Sequence, residues 1–252
     1  MKSSEIFIKT PAEIKIMRFG GKILADVLAE TSKLAKAGVS TAELNDFAEK
    51  FIHDRGGKPA FKGYRGFPAA LCTAINEVVV HGIPRKDEIL KEGDLLTLDC
   101  GVLYKDLYTD AARTIPIGQV DNQKQRLIKT ANMALDKATS MVHEGIHVGA
   151  LGRVIQDIIE RAGFKVIYDL TGHGLGHSLH EEPTILNYYN GTPGPILKAG
   201  MTIAIEPIFS VSSSKIKTLP DKWTIQTTDG SCAIQVENTV LVTQNGCEIL
   251  TA

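Results

Sequence analysis

Apolar residues in the first part of the chain recur at the three- and four-residue spacing of amphipathic helices. Residues 10–13, Thr-Pro-Ala-Glu, form a capping box with proline at the first helical position, and they predict a helix that ends near Gly38. Residues 40–43 repeat the capping box. They predict a second helix, which ends at the glycine pair 56–57.

The apolar pattern then changes to the alternating and continuous runs that are typical of strands. A second pair of helical segments separates these strands into two groups. The strand segments lie near 70–80, 94–118, 165–168, 201–209, 223–228 and 232–243, the helical segments lie near 121–143 and 148–162, and Asn245-Gly246 predicts a final hairpin turn.

The order of two helices followed by strands occurs twice, and no linker or low-complexity segment divides the two sets. This order predicts an α+β fold in which helices pack over a curved antiparallel sheet. We expect one domain over residues 1–252, with two pseudo-symmetric halves at roughly 10–118 and 119–252.

The composition narrows the classes of partner and the compartment. A formal net charge of -1 gives no basic surface for nucleic acid. No run approaches about 18 apolar residues, and the first residues lack the apolar stretch of a signal peptide, so we expect neither a membrane span nor secretion. The four cysteines are far apart in the sequence, which is typical of reduced thiols in a cytoplasmic protein.

Two aspartates lie within apolar strand sequence. Asp99 belongs to a predicted strand at residues 95–102, and Asp110 belongs to its return strand at residues 107–117. A hairpin turn at Tyr104-Lys105 would set the aspartates directly opposite each other, with Cβ atoms about 4.5–5.5 Å apart. Either aspartate alone would be interpreted as a turn cap or a solvated residue. The pair favours a bound divalent cation, because two like charges at that distance repel.

Two glutamates repeat this pattern. The two-residue period of a strand places Glu206 on the face opposite its isoleucine neighbours, and it places Glu237 on the face of Gln235. A lone strand glutamate is more often a solvated residue, but both of these strands have the apolar content of central strands. We therefore add both glutamates to the candidate ligands.

His173 is the candidate nitrogen ligand, since it lies in the glycine-rich segment 171–180 between a helix and a strand. The four carboxylates carry four negative charges, which two divalent cations would neutralise. A carboxylate-rich site with one imidazole suits manganese, iron, cobalt or zinc. Two such ions can clamp an oxygen and lower the pKa of a bridging water, which is chemistry suited to hydrolysis.

The segments around these residues carry specific motifs. They are residues 76–84, 98–101, 108–110, 172–174, 180–183 and 205–207, which read NEVVVHGIP, LDCG, YTD, GHG, HEEP and IEP. In order and separation they resemble the motifs of type I methionine aminopeptidases, and the resemblance extends from about residue 10 to the end of the chain.

The resemblance implies a pita-bread fold, a pseudo-twofold curved antiparallel sheet covered by helices, with a dinuclear metal site in its cavity. It implies that Asp110 and Glu237 bridge the two ions. Asp99 would be a further ligand of one ion, and His173 and Glu206 would be further ligands of the other.

The resemblance also implies an activity, the removal of the initiator methionine from nascent proteins whose second residue is small. A metal-bridged water would attack the scissile carbonyl with Glu206 as general base. His180 would donate to the developing oxyanion, and His81 would position the peptide near the leaving nitrogen. The partners implied are nascent polypeptide N-termini and, transiently, the ribosome, and the enzyme would act as a monomer in the cytoplasm.

Six residues match by position the pocket for the methionine side chain. They are Phe61, Tyr64, Phe67, Cys72, Leu179 and Trp223. Plain core packing explains each of them individually about as well.

Other functions are open at this point. X-Pro aminopeptidases and dipeptidases of the same superfamily usually carry an additional amino-terminal domain, for which 252 residues are expected to leave no space. A catalytically silent protein of the same fold would bind a partner and would be expected to lack ligands, whereas all five candidates are present. A globular protein without a metal would have to bury four carboxylates unpaired, at a high energetic cost.

Overall fold

Residues 6–252 are described by the structure, which is a computed structural model, and residues 1–5 of the predicted domain lie outside the described residues. In residues 6–252 there are four α-helices, which occur as two pairs. They are α1 (Pro11–Leu34), α2 (Thr41–Asp54), α3 (Asn122–Ser140) and α4 (Val148–Arg161). No helix in this part of the chain combines the length and the apolarity that crossing a membrane would require.

The strands follow each helix pair. After α2 come β1 (Lys58–Pro59), β2 (Leu71–Ile75), β3 (Val78–Val80), β4 (Leu95–Tyr104) and β5 (Leu107–Pro116). After α4 come β6 (Lys165–Val166), β7 (Gly172–Gly174), β8 (Glu181–Ile185), β9 (Thr202–Ile205), β10 (Ile208–Ser210), β11 (Ile216–Thr218), β12 (Ile225–Thr227), β13 (Ala233–Gln235), β14 (Asn238–Thr243) and β15 (Gly246–Ile249).

The predicted capping boxes of the first two helices are confirmed. The backbone N–H of Thr10 donates to Glu13 Oε2 at 2.7 Å, and the N–H of Ser40 donates to Glu43 Oε2 at 2.8 Å. The first helix ends at Leu34, earlier than predicted, because the backbone becomes extended at the next residue.

The ladders between these strands are antiparallel, and the predicted α+β class is confirmed. Strands β1, β2 and β5 all pair with β4, and a longer sheet has the order β15-β14-β9-β7-β8. One core cluster combines apolar residues of α1 and α2 with those of β4, and a second combines α3 and α4 with β9, β13 and β14. Each helix pair therefore covers the strands on one face and leaves their other face available for a site.

The β4–β5 hairpin corrects one prediction. Its turn is formed by Lys105 and Asp106, both with positive φ (46° and 65°), one residue later than predicted. Aspartate tolerates this left-handed conformation, whereas Tyr104 stays in the strand and stacks on Phe19 at 4.8 Å. As a result Asp99 pairs with Ala112 and Asp110 with Gly101, so the prediction that the two aspartates are directly opposed is wrong. They are diagonal neighbours on the same face of the hairpin.

The last hairpin is present, with a small shift. Thr243 pairs with Gly246, so the two-residue loop consists of Gln244 and Asn245, not of Asn245-Gly246.

Candidate metal centre and substrate cavity

The β4–β5 hairpin directs both aspartates away from the helices. Leu98 and Cys100, which flank Asp99, are buried in the core beneath α1 and α2, as is Ala111 next to Asp110. Since neighbouring strand residues point to opposite faces, the aspartates project from the uncovered face. The two-residue period of the strands predicts this orientation of the aspartates, and a one-residue shift of the hairpin turn does not change it.

Glu206 and Glu237 are set opposite each other by one continuous register. Asn238 pairs with Ile205 and Gln235 pairs with Ile208, so the same ladder runs on both sides of the Glu206-Pro207 interruption. Ile203 and Ile205 pack in the core on the helix side. The predicted faces of both glutamates are therefore confirmed, and their carboxylates point to the side where the aspartates project.

His173 is held in β7 by the glycines that flank it. A Cβ on Gly172 would lie 2.3 Å from the carbonyl oxygen of Ala204, and one on Gly174 would lie 2.2 Å from that of Glu182, so only glycine fits. The ring Nδ1 lies 2.8 Å from the carbonyl oxygen of Gly174. A carbonyl can only accept, so Nδ1 carries a proton, and Nε2 is the ring nitrogen that would bind a metal. Nε2 lies 3.7 Å from Glu206 Oε1.

The structure brings the five predicted ligands into one cavity of about 450 Å³. Each is at most 9% exposed. One ligand atom from each of Asp110, His173 and Glu237 lies within 4.8 Å of the others, and Asp99 and Glu206 line the same cavity.

Burial makes four carboxylates in one cavity electrostatically costly. Without a cation, desolvation raises the pKa of Asp99 to about 7. Desolvation first, and repulsion by neighbouring carboxylates second, raise the pKa values of Asp110, Glu206 and Glu237 well above their ordinary range. No Lys or Arg of residues 6–252 makes an ion pair with any of the four. The protein side chains therefore leave most of this negative charge uncompensated.

Several oxygens of these carboxylates fit a metal ion. Asp99 Oδ1, Asp110 Oδ1 and Glu237 Oε1 are buried and have no hydrogen-bond partner within the described part of the chain. Buried polar atoms are rarely left unsatisfied unless they serve a ligand or an ion. Four carboxylates with one imidazole form a donor set for divalent cations, so the residues present fit the metal that the sequence implies.

Two residues that the sequence analysis missed hold the ligands in place across the two sets of strands. Arg113 donates to the carbonyl oxygen of Glu237 at 2.6 Å and to that of Thr251 at 2.6 Å. Thr239 Oγ1 donates to the carbonyl oxygen of Asp110 at 2.7 Å and accepts from its N–H at 2.9 Å. Arg113 is the one cation in the β5 sequence, and a cation near the predicted acidic cluster is the signal that could have drawn attention to this residue.

The two histidines predicted to contact substrate also line the cavity. His81 has a positive φ of 57° and meets Trp223 edge-on at 6.3 Å, and burial lowers its pKa, so its ring is neutral at neutral pH. His180 lies with its ring centroid 4.3 Å from that of His173. Tyr64 Oη lies 3.1 Å from His180 Nδ1.

All six predicted pocket residues lie in the wall of this cavity. Phe67 and Trp223 meet edge-to-face at 5.1 Å, and Cys72 pairs with Asp99 across β2 and β4. Asp221 Oδ1 accepts from the N–H of Trp223 at 2.9 Å and fixes the loop that carries this indole. The wall also contains residues that the sequence analysis did not select, namely Arg65, Val80, Asp169, Leu170, Thr171, Ile208 and Gln235.

The raised pKa values predict how the metal-free protein responds to pH. A carboxyl with a higher pKa in the folded state adds stability at low pH, and this contribution is lost as the pH rises through the folded pKa. For Asp99 the loss extends from about pH 4 to beyond about pH 7. We expect the gap in Tm between manganese-loaded and metal-free protein to widen from about pH 6 to pH 8. Calorimetry measures both Tm values. A Tm difference that stays constant or narrows over this pH range would contradict the raised pKa values of the carboxylates.

Comparisons with known proteins show which sequence family the chain matches. The sequence pattern of metallopeptidase family M24 matches residues 15–244. The chain is 43% identical over 246 residues to a methionine aminopeptidase of Clostridium acetobutylicum, with 98% of each chain covered.

Solved structures show the same fold. A methionine aminopeptidase structure from Thermotoga maritima superposes with a TM-score of 0.96 at 42% identity, covering 98% of this chain and 99% of that one. A prolidase from Pyrococcus furiosus superposes with a TM-score of 0.79 at 26% identity, covering 97% of this chain and 65% of that one. The predicted pita-bread fold is confirmed by these matches.

Proposed function

The chain belongs to metallopeptidase family M24, and from this premise we propose that it removes the N-terminal methionine from polypeptides. The observation that carries the proposal is the juxtaposition of a buried acidic cluster with an apolar wall in one cavity. The names of the similar proteins support the choice of methionine as the residue removed.

The acidic cluster would hold two divalent cations. Asp99, Asp110, His173, Glu206 and Glu237 would be the ligands of these ions. Cobalt, manganese, iron and zinc all suit these donors. When bound, such ions supply Lewis acidity and a water of lowered pKa.

The protein side chains divide the remaining work. The Glu206 carboxylate takes a proton from the attacking water and returns it to the leaving amine. His180 donates to the oxygen of the scissile carbonyl as negative charge develops there. His81, neutral because of its burial, positions the peptide at the leaving nitrogen.

The apolar wall selects the side chain. Phe61, Phe67 and Trp223 present aromatic rings, and a thioether sulfur packs favourably against such rings. One methylene in a hydrophobic pocket is worth only about 1–3 kcal/mol, so leucine and norleucine should be cleaved slowly and not excluded.

Replacing His180 with alanine is expected to lower kcat by about 10²–10³-fold and to change KM little, because the lost hydrogen bond strengthens only in the transition state. Steady-state kinetics on a Met-Ala-Ser peptide measure both constants. The matched control is His53→Ala, an exposed histidine on α2, which should leave both unchanged. A rise in KM alone would show that His180 binds the substrate without stabilising the oxyanion.

The substrate assignment is tested by comparing peptides on the manganese-loaded protein. We expect Met-Ala-Ser to be cleaved after methionine and Ala-Pro to remain intact. Preferential hydrolysis of Ala-Pro would instead assign the prolidase activity that the Pyrococcus furiosus protein's name states. Absence of both activities at full metal loading would favour a binding protein.

The natural substrates in this proposal are the N-termini of nascent polypeptides, with a small second residue. Such substrates arise during translation, which would place the enzyme in the cytoplasm and in transient contact with the ribosome. In this proposal the enzyme acts as a monomer.

A further inference from the structure

A buried ion pair lies outside the metal centre and has no part in the steps described so far. Lys9 Nζ lies 2.6 Å from Glu181 Oε2, and the two side chains are 1% and 3% exposed. The ion pair between Arg18 and Glu248, by contrast, has side chains that are 50% and 38% exposed. The buried pair joins the segment that precedes α1 to the start of β8.

Glu181 makes two contacts that hold the loop of residues 175–180, one through its side chain and one through its backbone. Its second oxygen, Oε1, accepts from the N–H of Ser178 at 2.8 Å. Its backbone pairs with Gly174 in the β7–β8 ladder. Leu179 and His180, the two loop residues that line the cavity, lie between these points of attachment.

Lys9 is itself fixed by its surroundings. Its backbone N–H donates to the carbonyl oxygen of Gly200 at 2.8 Å. A Cβ added to Gly176 would lie 2.2 Å from Lys9 Cε, so the aliphatic part of the lysine side chain lies directly against the loop. Ile6 forms an isolated parallel bridge with Glu182. Residues 6–9 thus form a strap, here called the amino-terminal strap, along the outer side of the loop.

The general energetics of buried ion pairs indicate that the Lys9–Glu181 pair contributes less to the free energy of unfolding than to the position of the loop. Removing two charges from water costs several kcal/mol per ion, and apolar replacements of buried pairs are often neutral or stabilising. A charged pair differs from an apolar one in that a short charge-assisted hydrogen bond joins two particular atoms, here Lys9 Nζ and Glu181 Oε2. The carboxylate that Lys9 contacts is also the one that accepts the hydrogen bond from the N–H of Ser178.

We propose that Lys9 and Glu181 are positioning residues that hold the 175–180 loop so that His180 and Leu179 face the substrate. The amino-terminal strap thereby becomes part of the substrate site without touching the substrate. This inference rests on the proposed function for its kinetic readout, but the order of the loop can be measured independently.

The kinetic test uses two variants and one control, assayed well below their Tm. Lys9→Met leaves Glu181 buried without its cation, and the double variant Lys9→Met/Glu181→Met replaces the pair by apolar side chains of similar length. The control is Arg18→Met, which removes the exposed pair. We expect kcat to fall about 10- to 100-fold in both strap variants, since small misplacements of a reacting group have effects of that size. Metal content and the control's kcat should not change.

The double variant separates positioning from plain stability. We expect its Tm to exceed that of Lys9→Met, because no unpaired buried charge remains, while its kcat stays low because the N–H of Ser178 has lost its acceptor. A double variant that regains both Tm and kcat would overturn the proposal. So would a Lys9→Met variant with kcat within about twofold of wild type.

Amide hydrogen exchange gives a readout that does not depend on turnover. We expect residues 175–182 to exchange at least about tenfold faster in both strap variants than in wild type, and at the wild-type rate in Arg18→Met. Unchanged exchange in the strap variants would overturn the proposal. If the wild-type protein fails to cleave methionyl peptides, the proposed function fails, and the exchange comparison still decides whether the strap orders the loop.

Discussion

Replacing Glu206 with glutamine is expected to lower kcat by about 10²–10⁴-fold, the range that a positioned general base contributes. Glutamine keeps the length of the side chain and can still accept the hydrogen bond that Gln235 Nε2 makes to Glu206 Oε2 at 3.3 Å. It cannot take a proton from water. The fold should be retained, because the neighbouring isoleucines pack on the opposite face and are unchanged.

The experiment is a comparison of kcat on Met-Ala-Ser at matched metal content. Glu248→Gln is the control, since it makes the same chemical change on β15 at an exposed position. Near-normal kcat in the Glu206 variant would remove the general-base assignment. A loss that is fully restored by raising the metal concentration would show that Glu206 acts only as a ligand.

Replacing Asp110 with asparagine is expected to weaken metal binding by more than about 100-fold, because altering even the outer partners of metal ligands costs about 10–100-fold. Asp110 contributes one of the unsatisfied buried oxygens, and it lies in the group of three residues whose ligand atoms approach most closely. Loss of its charge should leave at most one ion bound, and turnover should fall in parallel.

The same substitution should have an opposite effect on the metal-free protein. Desolvation and the charge of Asp99 raise the pKa of Asp110, so its ionisation destabilises the folded state as the pH rises. The metal-free variant should therefore lose less Tm between about pH 6 and pH 8 than the metal-free wild type. Asp106→Asn, in the exposed hairpin turn of the same strands, is the control and should change neither property. Equal metal affinity in the Asp110 variant and wild type would refute the assignment of this ligand.

Local features of the fold were predictable from the sequence because they depend on neighbouring residues. The capping boxes at Thr10 and Ser40 are satisfied within one helical turn. The faces of Glu206 and Glu237 follow from the two-residue period, which any extended strand imposes.

The hairpin register was not predictable in the same way. A shift of one residue in the turn changes every cross-strand pair, and the choice depends on which two residues adopt positive φ. The aspartates still reach the same cavity, because residues 99 and 110 share a face in this register as diagonal neighbours.

Contacts between distant segments were outside the reach of the sequence patterns. Arg113 reaches the carbonyl oxygen of Thr251, and Lys9 reaches Glu181 across most of the chain. Nothing in the sequence indicates which distant residue either side chain contacts. The order of the five candidate ligands along the chain predicted which side chains share one site, but not which residues support them.

Anomalous scattering from crystals of the protein soaked in manganese would show whether the buried acidic cluster binds two metal ions. We expect two anomalous peaks in the cavity lined by Asp99, Asp110, His173, Glu206 and Glu237. Both peaks should weaken or vanish in Asp110→Asn. No peak among these side chains at saturating manganese would contradict the claim that this buried acidic cluster is a metal centre.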